Sequence, residues 1–459
     1  MMRLVAPVVL PCDELCTVLR DAVVDVDSTG RISYVGSSTE APAAPGPVLG
    51  LTGILMPGLV NTHAHTAMTA LRGLGGDLPL IRWLTEVIWP AEALVDADDV
   101  RAGMLVGALE MLGGGITTSV EMYFYNHAVA DAVLAAGSRV VITPGIIAAP
   151  GWERLGTWEQ MLDAISRWID TDGVRFGPGE RIELGYGPHA AYTLPPEALV
   201  AAGAAARERG ALLHIHVAET LGEDTAIRDQ YGSVPLLLEH LGVLGSDDSG
   251  RHARVLAAHA VQLSDTDIAV LARHRAGVAH CPGSNSKLAS GIARLLDLRA
   301  AGIAVGLGTD GPASNDGLDL WDDAKLAARL ARLTSGDAAA LTAAQALLLA
   351  TRGGANAIGR DDLGTLRPGG WADLVHLGAD DPAFAAGLDV PDSQLLANLV
   401  WGAGARAVRD VWVAGEQVLA GGAPTRVDAA EAHATLRSRV TRRTGQAVTE
   451  RSGSEPSQP

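Results

Sequence analysis

Short apolar runs alternate with longer amphipathic stretches through most of the chain. The runs span residues 55–60, 116–120, 139–143, 182–187, 211–217, 254–258, 277–279 and 304–308. Each is aliphatic or β-branched and ends on a polar or turn residue, the pattern of a short strand. Between most of them lie Ala- and Leu-rich segments with helical spacing, such as 196–209 and 265–274. Strands alternating with helices predict parallel βα units. Eight such units predict a (β/α)8 TIM-like barrel, with its chemistry at the C-terminal strand ends.

The two ends of the chain read differently. Residues 18–36 predict two strands joined by the turn Asp27-Ser28-Thr29-Gly30. Residues 363–375 predict turn and strand, and residues 408–419 a hairpin around Ala414-Gly415. The expected class is therefore α/β, with the barrel (56–363) inserted in a small composite β-sandwich domain built from residues 1–55 and 364–425. Residues 426–459 are expected to form a terminal helix. From Arg443 onward, composition rich in Ser, Pro and Gly predicts a disordered tail.

Composition narrows the partners. The 459 residues are 48% hydrophobic, enough for a large core, and carry 53 acidic against 35 basic side chains, net −18. So acidic a chain is a poor binder of polyanions, so neither nucleic acid nor an anionic membrane is expected as a partner. No apolar run reaches the roughly 18 residues a membrane span needs, and residues 1–10 are too short for a signal peptide. Three cysteines, Cys12, Cys16 and Cys281, make no disulfide framework, and a reducing cytoplasm is the expected location.

Candidate chemistry follows the strand runs. His63 and His65 follow the first, His189 the fourth and His259 the sixth; His216 and Glu219 close the fifth, and Asp310 follows the eighth. In a barrel these positions converge on one mouth. Imidazole and carboxylate are the ligand set of Zn or Fe(II). Residues i and i+2 of a strand share a face, so His63 and His65 reach one point. His216 and Asp310 would add a third imidazole and a carboxylate, leaving room for water whose pKa the metal lowers toward neutrality. Periodicity alone does not choose between His214 and His216. Asp310 taken alone reads equally well as a helix N-cap ahead of Gly311-Pro312. The joint placement argues for a metal.

These residues sit in stretches that carry a resemblance: PGLVNTHAHTAMTALRG (57–73), WLTEVIWPAE (83–92), GITTSVEMYF (115–124), GPHAAYT (187–193), HIHVAET (214–220), LAAHAVQL (256–263), HCPGSNSKLASGIA (280–293) and GTDGPASN (308–315). The chain resembles the amidohydrolase superfamily, in its cytosine-deaminase-like and chlorohydrolase-like branch, and most of all the S-adenosylhomocysteine/5′-methylthioadenosine deaminases. The resemblance implies a metal-dependent hydrolytic deaminase of an aminated purine nucleoside, in which metal-activated hydroxide attacks the amino-bearing ring carbon. It implies His63, His65, His216 and Asp310 as metal ligands, Glu219 as the proton-shuttling acid, and His259 as the residue that helps polarise the attacking water. His189 matches a substrate-contacting histidine, Glu92 a ribose-binding acid and, in a looser match, Arg154 a substrate-binding arginine. With no lysine at the end of the fourth strand, one divalent ion is expected, zinc first and Fe(II) second. A small heterocyclic substrate and a homo-oligomer are also implied.

Two alternatives stand beside this reading. One is hydrolysis of another aminated or halogenated heterocycle of guanine, cytosine or s-triazine type. The other is a catalytically inactive scaffold of the same fold. Glu92 itself reads equally as a first-turn helix acid after Pro90. Cys281, Ser286 and Arg294 depart from the family pattern on a loop expected to face the substrate. Two other metal-hydrolase patterns are absent: His-x-Glu with Pro-Cys-x-x-Cys and His-Glu-x-x-His.

Overall fold

A computed structural model of the chain describes all residues except 223–224, 247–249 and 454–459. Eight parallel strands form its barrel: β1 (Leu59–Ala64), β2 (Ile116–Glu121), β3 (Arg139–Ile142), β4 (Ile182–Pro188), β5 (Leu212–Val217), β6 (Arg254–His259), β7 (Gly277–His280) and β8 (Val305–Leu307). They pair in chain order. The Asp310 N–H donates to His63 O at 2.9 Å, and a parallel bridge joins Ala64 to Asp310, so the last strand is drawn against the first. Nearly every residue of these strands is buried on both faces. Covered parallel strands read as continuous apolar runs for this reason.

Seven of the runs coincide with barrel strands to within a few residues. The first does not. Residues 55–60 were expected to form one strand, but Ile54–Pro57 belongs to a second sheet and β1 starts at Leu59. The chain crosses at Gly58, where a Cβ would come within 2.0 Å of Thr117 Oγ1. Periodicity misses the break because both halves are fully buried.

The second sheet has nine strands and joins the two chain ends. Met2–Val9, Leu19–Val26 and Ile32–Ser37 come from the N-terminal side, while Leu374–Leu377, Val408–Val413 and Glu416–Ala420 come from the C-terminal side. The halves meet where Ile54–Pro57 pairs antiparallel with Leu374–Leu377. The final helix, Ala429–Gly453, continues past Arg443, so the backbone is helical where composition predicts disorder; residues 454–459 of that tail lie outside the described residues. The anchor is specific: Arg443 is buried and donates to Ala70 O at 2.7 Å. All three cysteines are free and buried. Among the described residues, no helix is long and apolar enough to cross a membrane.

Two helices position the site. Helix α1 (Ala97–Gly113) starts with a capping box, in which Asp96 and Asp99 each accept the other's backbone N–H. The turn that follows His65 lies directly on it. A Cβ at Gly103 would sit 2.3 Å from Ala67 O, so only glycine permits this approach. Helix α2 (Leu320–Ser335) follows β8 and places buried Asp323 under the loops after β7 and β8.

Candidate metal centre and cavity

The C-terminal strand ends bring the expected histidines together. The His63 ring lies 4.8 Å from His65, 4.9 Å from His216 and 5.1 Å from His259, centroid to centroid. His63 Nε2 and His65 Nε2 each stand 3.3 Å from Asp310 Oδ1. Two sets of potential ligand atoms lie within 4.8 Å of one another: His63 with His216 and His259, and His63 with His65 and Asp310. Local backbone geometry aims these groups. Ala218, His259, Ala260 and Asp310 all have positive φ (49°, 70°, 50° and 58°). Non-glycine residues adopt that region at a cost of about 1–3 kcal/mol each, typically at functional sites.

The hydrogen bonds behind the rings set which nitrogens face the centre. His65 Nδ1–H donates to Met122 O at 2.5 Å and His216 Nδ1–H to His189 O at 2.7 Å. His63 is set by a longer relay. Thr143 Oγ1 donates to Glu121 O (2.9 Å), so it accepts from His214 Nδ1–H (2.9 Å). His214 Nε2 is then the acceptor for His63 Nδ1–H at 2.8 Å. In all three rings Nδ1 is held by these bonds and Nε2 faces the centre, the arrangement a ligand histidine needs. Asp310 is split in the same manner. Its Oδ2 accepts Ser284 Oγ (2.5 Å) and Ser314 Oγ (2.9 Å), while Oδ1 faces the imidazoles.

These donors fit a divalent cation. His63 Nε2 is buried with no hydrogen-bond partner, an atom that would be costly to leave unpaired. Burial, reinforced by neighbouring imidazoles, holds His63 down to about 3 and His216 well below the ordinary histidine range, so both are neutral. The imidazoles of His63, His65 and His216 and one carboxylate oxygen of Asp310 are nitrogen and oxygen donors of the kind zinc takes.

The centre floors a cavity of about 670 Å³, counting its open mouth. Glu219 and His259 stand there 3.8 Å apart, Glu219 Oε2 to His259 Nε2. Burial, with the Asp310 charge added, raises the Glu219 carboxyl well above its ordinary value, which favours the protonated form. His259 Nδ1–H donates to Asn285 Oδ1 at 2.9 Å, which turns Nε2 toward Glu219. His189 is fixed likewise by Thr193 Oγ1 at 3.1 Å, and burial lowers it to about 3. Glu92 also lines the cavity. Burial raises its carboxyl to about 7 against a hydrogen bond from Tyr123 and the charges of His65 and Arg154.

Not every expected residue lies in this cavity. Arg154 is exposed and absent from the lining; it donates to Gly151 O and Glu92 O, both at 3.0 Å, and stacks 4.6 Å over Trp152. The expectation that Cys281, Ser286 and Arg294 face the substrate needs correction. Cys281 is fully buried beside Gly308, Ser286 caps Pro282 O, and Arg294 pairs with Asp265 and Asp297. Of that loop region only Leu288 lines the cavity. Sequence reasoning gave no role to Thr143, Ser284, Asn285 or Ser314, and weighed His214 only as an alternative to His216 for the metal. All of these but Thr143 sit in the quoted motifs, but apart from Ser314, four residues from Asp310, their partners are distant in sequence.

The sequence model of the Amidohydrolase family matches residues 54–418. The chain belongs to this family. Among its amidohydrolase relatives, the 5-methylthioadenosine/S-adenosylhomocysteine deaminase of Pelotomaculum thermopropionicum is 40% identical over 406 residues, covering 88% of this chain and 89% of that one. The 5′-deoxyadenosine deaminase of Methanosarcina mazei is 41% identical over 390 residues, covering 84% and 85%. The crystal structure of an adenosine deaminase from Xanthomonas campestris with bound zinc matches with a TM-score of 0.88 at 34% identity, over 97% of this chain and 98% of that one. The resemblance read from the motifs, and the barrel with its added sheet, both hold.

Proposed function

We infer that this amidohydrolase is a hydrolytic deaminase of adenosine-type nucleosides: adenosine, 5′-methylthioadenosine or S-adenosylhomocysteine. The observation that carries the reading is a buried Glu219, its carboxyl pushed well above the ordinary value, beside a converging set of imidazole nitrogens, with Glu92 in the same cavity. His63, His65, His216 and Asp310 hold one ion, zinc in preference to Fe(II). When bound, that ion supplies Lewis acidity and brings the pKa of a coordinated water toward neutrality.

The side chains do the rest. Glu219 donates its proton to the ring nitrogen next to the amino-bearing carbon, which makes that carbon electrophilic. Asp310 and Nε2 of His259 orient the attacking water and take its proton. The new C–O bond forms, a proton passes to the exocyclic amine, and the C–N bond breaks to release ammonia. His189 presents an acceptor nitrogen to the heterocycle. Glu92 accepts the ribose hydroxyls, and Arg154 positions Glu92 through its backbone carbonyl. No observation favours a triazine or guanine substrate, and the assembled ligand set speaks against a scaffold. The free cysteines support a cytoplasmic location, and a homo-oligomer remains the family expectation.

Glu219→Gln keeps the shape and removes the acid. Ammonia release from 5′-methylthioadenosine should fall about 10²–10⁴-fold, with metal content unchanged. Turnover at the wild-type rate would refute the role.

A further inference from the structure

We propose that the cavity selects nucleosides whose 5′ substituent is uncharged and discriminates against the zwitterionic 5′ group of S-adenosylhomocysteine; this rests on the nucleoside reading above.

Most of the charged and imidazole groups of the cavity cluster together. His65, His216, His259, Asp310 and Glu219 belong to that cluster, so the amino-bearing ring carbon must be presented to them. In a nucleoside the 5′ substituent points away from that carbon. It therefore meets the remaining wall, in which Trp83, Leu84, Ile88, Trp89, Phe124 and Trp152 are prominent. Trp83, Leu84, Ile88 and Trp152 are buried, so this wall is a packed apolar surface. Among the described residues, no lysine or arginine lines the cavity. Away from the metal end the one charged lining group is Glu92, an acid.

Arg154 does not fill the gap. Its Nη1 and Nη2 are committed to the carbonyls of Gly151 and Glu92, and its plane to the Trp152 ring. A homocysteine carboxylate would lose its water against indole and aliphatic carbon with no cation to replace it, and would share the space with Glu92. A methyl, methylthio or longer alkylthio group instead buries apolar surface, and its sulfur makes favourable contacts with aromatic rings.

The test compares kcat/KM for ammonia release by the metal-loaded full chain. The substrates are 5′-deoxyadenosine, 5′-methylthioadenosine, S-adenosylhomocysteine and 5′-butylthioadenosine. The butylthio compound extends the 5′ group much as homocysteine does, but without charge. The methylthio and butylthio compounds should agree within about tenfold, and S-adenosylhomocysteine should fall about 100-fold or more below both. S-Adenosylhomocysteine turned over as well as the butylthio compound would overturn the proposal. So would a butylthio compound as poor as S-adenosylhomocysteine, since length and not charge would then decide. Ammonia from none of the four would overturn the nucleoside reading itself, an outcome distinct from the other two.

Discussion

Thr143 touches no candidate ligand, yet it sets the proton on His63. Its hydroxyl hydrogen is directed to Glu121 O, so His214 must donate from Nδ1 and accept at Nε2, and His63 must donate from Nδ1. This relay explains why two histidines of HIHVAET have different tasks. His214 and His216 share a strand face, so no periodicity separates them; only the neighbours of each ring do. His63, His65, His216 and Asp310 were legible as a group because a barrel gathers strand ends. Arg154 shows the converse: a plausible motif match whose side chain turns to backbone carbonyls. At this scale Glu92 makes the sharpest prediction. Burial raises its carboxyl from the ordinary 4.5 to about 7. The ionised form offers acceptor oxygens to both ribose hydroxyls and is populated only as pH passes that value. KM for adenosine should therefore fall as pH rises from about 6 to 8, relative to a 2′,3′-dideoxy substrate. Glu92→Gln should flatten the difference, and parallel pH profiles for the two substrates would count against a ribose contact.

Between elements, Asp323 of α2 ties the loops after β7 and β8 together. Its Oδ1 accepts Gly283 N–H at 3.0 Å and its Oδ2 accepts Asn315 Nδ2 at 3.2 Å. Those loops carry Ser284, Asn285 and Ser314, which hold Asp310 and His259. Burial raises the Asp323 carboxyl from 3.8 to about 8. Between those values the folded state keeps a proton that the unfolded chain has lost. Stability from this group is thus full below the unfolded value and declines as pH rises toward the folded one, by at most about 1.4 kcal/mol per pH unit. Asp323→Asn should lose less stability than wild type between about pH 5 and 8, read from denaturant midpoints. Identical slopes would contradict the assignment. Nothing in the sequence singles out Asp323, because its partners are a backbone amide and an amide side chain on other elements. The strands were easier to read, since covered parallel strands are apolar throughout; the break at Gly58 was hidden for the same reason.

Across the whole molecule, the barrel and the second sheet are joined by a buried ion pair. Arg139 opens β3, at the end of the barrel opposite the cavity. It meets Asp373 through Nε to Oδ2 (2.7 Å) and Nη2 to Oδ1 (3.0 Å), with both side chains almost fully buried. Arg139 also donates to the carbonyls of Gly179 and Glu180, and Asp373 accepts from Ala414 N–H. Asp373→Ala leaves the guanidinium uncompensated and should destabilise the fold by about 3–5 kcal/mol, measured by chemical denaturation. Activity per folded molecule should be unchanged. The class of fold was legible because turn and strand signals at both chain ends differ from the βα rhythm between them. The Arg139–Asp373 contact was not, because residues this far apart in sequence give no local sign of pairing.

The proposed site holds one cation among His63, His65, His216 and Asp310. Metal analysis of the purified full-length chain, grown with metal and dialysed free of excess, tests it most directly. One equivalent of a divalent ion per chain, lost in His63→Ala, is the predicted result. An empty wild-type site, two ions per chain, or an ion fully retained by the variant would contradict it.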